Sequence, residues 1–276
     1  MGVILGVLAA LGFGISDVLG ARASRAAASL SVTRTALLAS IAFAPFFLLV
    51  QSFHLTALDV SYAAGSGLCT GAGLTLLYLG YSKAPIGIVG PVAAVLTAGV
   101  PVLVDVVRGN ALSWTSAVGV AIGLVALAIT TYLPGGRGSI RLAIALGVLA
   151  GVGFGLGFLL LGLTTDAAGL APVVVQRVAA FLGLTAIAPF VRAPLLVTRN
   201  PARRTALLCG VFGGAAMAIL QLAYRAGSVG PVSVAASQFA AAAVLISAIV
   251  NRERLRWWQS AGLLMASVGV GLIALG

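Results

Sequence analysis

Apolar runs of about twenty residues follow one another along the whole chain, parted only by short polar gaps. A helix rises about 1.5 Å per residue and a hydrocarbon core is about 30 Å thick, so each run has the length of a membrane crossing. Ten runs fit this measure: 2–20, 30–50, 60–81, 85–107, 114–132, 142–163, 170–191, 205–224, 228–250 and 257–275. Mean hydropathy is +1.17 and 8% of residues are charged. Soluble proteins carry about 25% charged residues, so this chain has too few to cover a globular surface in water. Its natural solvent is a bilayer. There, every backbone polar group must be bonded within the protein, which leaves helices or a closed barrel. The runs are continuous, with no alternation of apolar and polar residues, so the expected class is an all-α integral membrane protein with ten transmembrane helices.

The 36 glycines are concentrated in the spans, as in Gly65, Gly67, Gly71 and Gly73, where small residues let helices approach closely. The first run lacks a basic leader segment and is too long for a cleaved signal, so it reads as a retained helix. Two cysteines in separate apolar runs and a single histidine, His54, offer neither a disulfide framework nor a metal site, and no cofactor is expected.

The two halves of the chain repeat one another. Gly6-Val-Leu-Ala-Ala-Leu-Gly-Phe-Gly14 returns as Gly147-Val-Leu-Ala-Gly-Val-Gly-Phe-Gly155. Arg34 then matches Arg177, Tyr81 matches Tyr224, Gly90-Pro-Val92 matches Gly230-Pro-Val232, Leu112-Ser-Trp114 matches Leu255-Arg-Trp257, and Gly119 matches Gly262. An ordered series of Arg, Tyr, Pro and Trp matches is not expected from chance similarity of glycine-rich apolar sequence. The predicted units are 1–136 and 137–276, five spans each. An odd number of spans makes the second copy enter the membrane from the opposite side, so the repeats are inverted. Two inverted halves can exchange shapes and open a central cavity to each side in turn.

The formal charge of +11 would suggest nucleic acid for a soluble protein. Here it reports orientation, and no nucleic-acid partner is expected. With ten spans, Arg22, Arg25, Arg34, Lys83, Arg137, Arg141, Arg192, Arg199, Arg203, Arg204, Arg252, Arg254 and Arg256 fall on one side. Arg108, Arg177 and Arg225 fall on the other. The positive-inside rule makes the crowded side cytoplasmic and both termini extracytoplasmic, in a multi-pass protein of a bacterial-type inner (plasma) membrane. The strong bias argues against insertion in both orientations, so a monomer or a homodimer of complete chains is expected.

Four features, spread over essentially the whole chain, resemble the ten-helix EamA-type members of the drug/metabolite transporter superfamily. They are Gly12-Phe-Gly-Ile-Ser-Asp17 in the first helix and the pair Arg34 and Arg177 near the start of each repeat's second helix. To these are added Ala84-Pro-Ile-Gly-Ile-Val-Gly-Pro91 with Ala226-Gly-Ser-Val-Gly-Pro231, and Asn251-Arg-Glu-Arg-Leu255 before the closing glycine-rich helix. The last resembles the family's Gly-Glu-Arg-Leu signature, departing from it by Asn251-Arg252, and Asn110 stands where the first repeat would carry Glu. The resemblance implies a secondary carrier of small metabolites, commonly amino acids or related solutes and often an exporter, without fixing the substrate.

Individual residues carry a functional and a plainer reading side by side. Asp17 lies within the first apolar run, where an unpaired charge costs about 2.5–3.5 kcal/mol at the centre of a span and less near an end. It is a candidate to bind and release a coupling proton; the plainer reading is an ion pair with Arg22 or Arg34. Arg177, beside Gln176, is about seven residues into its span and Phe158 takes the place of Asp17 in the second repeat, leaving a guanidinium suited to a substrate carboxylate. A structural arginine held by Asp166 or by carbonyls is the alternative. Tyr78, Tyr81, Gln221, Tyr224 and Gln238 are polar groups deep enough to line a central cavity, with interhelical hydrogen bonding as the alternative. Asp105 and Arg108, three residues apart, suit a local ion pair. Pro91, Pro101 and Pro231 are candidate hinges, since proline removes a backbone donor and kinks a helix.

The sequence offers no enzyme constellation: no nucleophile elbow, no zinc-protease helix motif, no phosphate-binding loop, and too few His, Asp and Glu for paired acid and base. The leading expectation is secondary-active transport of a small solute, with protons as a coupling ion and lipids as surroundings. A lipid or lipid-linked headgroup flippase and a non-transporting membrane subunit are the alternatives.

Overall fold

A computed structural model describes residues 1–50, 52–84, 86–109, 113–131, 139–251 and 256–275. All regular elements among them are helical: α1 (Gly2–Ser24), α2 (Ser29–Val50), α3 (Ala57–Lys83), α4 (Ile86–Val107), α5 (Trp114–Thr131), α6 (Ile140–Gly162), α7 (Ala171–Val191), α8 (Asn200–Arg225), α9 (Val229–Ser237), α10 (Phe239–Asn251) and α11 (Trp257–Leu275). A 3-10 turn, Asp166–Ala168, lies between α6 and α7. Among the described residues, six helical stretches are long and apolar enough to cross a membrane: Gly2–Ser24, Ile88–Val107, Ile140–Gly162, Ala171–Val191, Asn200–Arg225 and Val229–Val250. That is the character of a multi-pass membrane protein.

Local chemistry sets the helix boundaries. Thr56 and Asp59 form a reciprocal cap on α3, in which the Thr56 hydroxyl accepts the Asp59 N–H at 3.1 Å and the Asp59 carboxylate accepts the Thr56 N–H at 3.0 Å. Ser139 accepts the Leu142 N–H at the start of α6. Pro172 and Pro201 occupy the first turns of α7 and α8, where the missing donor costs nothing. Arg192 ends α7 in the left-handed region, φ 51°.

The helices pack in a regular set of pairs. α1 lies against α8, α9 and α10; α3 against α6 and α7; α4 against α6 and α9; α2 against α7 and α8; and α5 against α11. Glycines permit the closest crossings. At α3–α6, a Cβ on Gly73 would meet the Ala150 carbonyl at 2.9 Å, and one on Gly153 would meet the Cys69 carbonyl at 2.9 Å. At α2–α8, a Cβ on Gly210 would collide with the Ala36 carbonyl.

Contacts between helix ends define two ends of the bundle. At one, Gly2 meets Ala223 and Gly227, the His54 N–H donates to the Ala167 carbonyl at 2.7 Å, and the Gly230 N–H donates to Asp105 at 2.6 Å. At the other, the Ser31 hydroxyl donates to the Pro194 carbonyl at 2.6 Å and the Val197 N–H to the Thr35 hydroxyl at 3.0 Å. The helix termini place Arg22, Arg25, Lys83, Arg141, Arg192, Arg199, Arg203, Arg204 and Arg256 toward this second, basic end. Arg108 and Arg225 belong to the first.

The expected hinges divide. Pro101 is a buried residue inside α4, and Pro91 lies within the same helix with its side chain outside the described set. Pro231 sits in the first turn of α9, as a helix start would have it. The interruption of that span falls instead at Gln238, between α9 and α10.

Candidate functional site

At mid-height of the bundle is a cavity lined by Phe13, Ser16 and Asp17 of α1, Thr70 and Leu74 of α3, Phe154 and Phe158 of α6, Arg177 of α7, Gly213 and Met217 of α8, and Phe239 of α10. Four phenylalanines form a closed aromatic circuit. Phe13 and Phe158 stack at 6.0 Å, Phe158 meets Phe154 at 6.5 Å, Phe154 meets Phe239 edge-on at 6.1 Å, and Phe239 returns to Phe13 at 6.5 Å. Ring separations of this size are favourable aromatic contacts, and they give the cavity an apolar wall.

A carboxyl and a guanidinium face this cavity with hydrogen-bonding capacity left over. Asp17 is 6% exposed and its Oδ2 has no partner. Arg177 is 7% exposed; its Nη2 donates to the Gly213 carbonyl at 2.9 Å, and its Nε has no partner. Beside them, the Ser16 hydroxyl donates to the Cys209 carbonyl at 3.0 Å, and the Tyr78 hydroxyl lies 3.1 Å from the Cys209 thiol. Gly20, one turn after Asp17, makes room for the Tyr78 ring, which a Cβ there would strike.

The remaining expected lining residues are not among those that line this cavity. Gln176 donates to the Ser66 hydroxyl at 2.7 Å, and Ser66 in turn donates to the Gly157 carbonyl at 2.7 Å, tying α7 to α3 and α6. Gln221 donates to the Thr164 hydroxyl at 3.0 Å. The Tyr224 hydroxyl pairs with Ser233 at 3.0 Å. Tyr81 stacks obliquely on Tyr78 at 6.5 Å within the buried core. Gln238 is 7% exposed, and both of its amide atoms lack partners at the α9–α10 break, next to the cavity-lining Phe239.

The expected ion pairs also resolve differently. Arg34 is fully buried and donates through Nη2 to the carbonyls of Ala193 and Pro194, rather than to a carboxylate. Asp105 accepts the Gly230 N–H and so fastens α4 to the start of α9. Arg177 is not held by Asp166, which pairs with Arg225 at 3.0 Å. Arg225 also donates to the Thr164 carbonyl at 2.7 Å.

A polar clasp closes this end of the bundle, outside the expected spans. Asp59 accepts the Thr165 N–H at 2.6 Å and the Thr165 hydroxyl at 3.0 Å, besides its contacts with Thr56. Burial pushes the Asp59 carboxyl up, but the hydrogen bonds from Thr165 and Thr56 together outweigh it and hold the group at about 2, below its ordinary 3.8. Among the described residues, no group of His, Cys, Asp and Glu could hold a metal ion.

Ser16, Thr70, Met217 and the four phenylalanines were not among the expected site residues. The one sequence signal was the repeated Gly-Phe-Gly, which carries Phe13 and Phe154 and reads first as a packing motif.

No family model matches the chain, and no curated protein matches it. A solved structure described as "Crystal structure of protein" superposes on 99% of this chain and 96% of its own, with a TM-score of 0.78 and 14% sequence identity. The two share a fold.

Proposed function

We propose that the chain is a secondary-active carrier of small metabolites, such as amino acids or related solutes, that works by alternating access and runs in the direction of export. The observation that carries the reading is the mid-height cavity in which Asp17 and Arg177 both face an aromatic wall with unsatisfied polar atoms. A buried charge without a partner is expensive in a membrane protein and marks a solute or ion path. Asp17 takes and gives up the coupling proton. Arg177 receives a carboxylate, whose two oxygens match its planar fork.

The helix pairings support two inverted five-helix repeats of ten spans, with α9 and α10 together forming the ninth. If α1 to α5 correspond to α6 to α11 in order, the α1–α8 pair corresponds to α6–α3, α3–α7 to α8–α2, and α4–α6 to the packing of α9 and α10 on α1. Under that correspondence α2–α7 and α5–α11 map onto themselves. The cavity follows the same rule: Phe13 matches Phe154, Asp17 matches Phe158, Thr70 matches Gly213 and Leu74 matches Met217. A pseudo-two-fold axis through the cavity is the arrangement that lets two halves exchange shapes. Membership of the EamA-type drug/metabolite transporters belongs to this reading, as do a cytoplasmic basic end and extracytoplasmic termini in a bacterial-type inner membrane.

Uptake of a pooled panel of amino acids and metabolites into proteoliposomes, with a proton gradient imposed and then collapsed, tests the proposal. Gradient-dependent accumulation of one solute class is the expected result. Absence of flux under both conditions, from protein shown to be folded, would remove it.

A further inference from the structure

Arg34 and Arg177 occupy matching positions in the two halves, yet their surroundings differ. Arg177 faces the cavity and donates to the Gly213 carbonyl of α8. Arg34 is withdrawn toward the basic end, where it donates to the Ala193 and Pro194 carbonyls after α7. It has no exposed surface and no hydrogen-bond partner for Nε or Nη1, and among the described residues it forms no ion pair. A buried cation kept this far from full satisfaction is costly as a purely structural device.

The offset that relates Arg34 to Arg177 also relates Thr70 to Gly213, and Thr70 already lines the cavity from α3. It likewise relates the α7–α8 connection holding Arg34 to the connection that follows α2. Resting on the carrier reading above, we propose that Arg34 is a second anion-binding residue. It takes over the carboxylate of the solute from Arg177 when the two halves exchange shapes. In the opposite conformation, Arg34 donates to the Thr70 carbonyl and faces the cavity, while Arg177 withdraws to the α2–α3 connection. Asp17 has no such counterpart, because Phe158 stands in its place. The anionic end of the solute is therefore handed between two arginines, whereas its neighbourhood of Asp17 is shared by both states.

Side-specific labelling tests this on the full chain in phosphatidylethanolamine–phosphatidylglycerol vesicles. Arg34→Cys and Arg177→Cys are made separately, with Cys69→Ala and Cys209→Ser. Each is treated with the membrane-impermeant, anionic 2-sulfonatoethyl methanethiosulfonate from one face and then from the other. The two positions are expected to react from opposite faces. A minor state is populated at about 0.1–10%, so Arg34→Cys should react at least about tenfold more slowly than Arg177→Cys. Reaction of both from the same face would overturn the proposal. So would the absence of Arg34→Cys labelling from either face in a folded protein that labels at Arg177→Cys. If a variant does not fold, residue-resolved phenylglyoxal modification of the unsubstituted chain serves instead. There, slow modification of Arg34 alongside faster modification of Arg177 supports the handover, and complete protection of Arg34 removes it. Solute flux is measured in parallel on the unsubstituted chain. Flux with same-face labelling discards the handover alone, while opposite-face labelling without flux discards the metabolite reading and keeps the exchange.

Discussion

Single residues decide where this chain places its polar groups. Asp17 and Arg177 were legible in the sequence because an isolated charge in an apolar run has few inexpensive places to go, and both line the cavity. Tyr78, Gln176 and Gln221 were legible only as deep polar groups. Three-residue spacing assigns a helix face but not the neighbour that meets it, and their partners proved to be Cys209, Ser66 and Thr164. Substituting Asp17→Asn should abolish gradient-driven accumulation in proteoliposomes while leaving solute exchange in place. Driven accumulation equal to that of the parent would dismiss its proton role. Asp59 permits a stability test. Asp59→Ala removes the acceptor for the Thr165 and Thr56 N–H groups of a half-buried clasp, a loss of about 0.5–1.5 kcal/mol, read as a lower apparent Tm in detergent. Because the folded carboxyl sits at about 2, against 3.8 ordinarily, its contribution is present above the higher value. It is lost as pH falls toward the lower one. An acid titration of the parent and Asp59→Ala should therefore converge across that window, and parallel curves would count against the clasp.

At the scale of elements, packing depends on glycine more than on interlocking large side chains. Gly210 lies where α8 crosses the α2 backbone at Ala36, and no flexible side chain there can give way. Gly210→Val should separate α2 from α8 at a cost of about 1–3 kcal/mol or more, and an unchanged apparent Tm would show that the crossing is loose. The break between α9 and α10 is the element that the sequence hid. Proline was the available signal and pointed to Pro231, whose place in the first turn of α9 leaves the helix intact. Gln238 ends α9 without proline or glycine, and the following Phe239 lies in the aromatic circuit with Phe13 and Phe154.

For the whole molecule, the basic end and the end carrying the Asp59 clasp are chemically distinct, which gives the bundle a direction. A reporter active only in the cytoplasm, fused after the last residue, should stay silent, whereas one inserted between Pro194 and Arg199 should give signal. The reverse pattern would invert the orientation. Length, apolarity and the lack of apolar–polar alternation in the runs were sufficient by themselves to indicate helices, since outside water a backbone is satisfied only in helices or in a closed barrel, whose strands alternate. The ordered matches between the halves, read from residues alone, are the ground on which the helices of the two halves are proposed to correspond. Tertiary structure decided which faces meet. Only it gathered Phe13, Phe154, Phe158 and Phe239 into one wall, sent Arg177 inward and drew Arg34 to the carbonyls after α7. Apolar residues look alike in sequence on every side of such helices, and the choice among their faces is made by close contact between them.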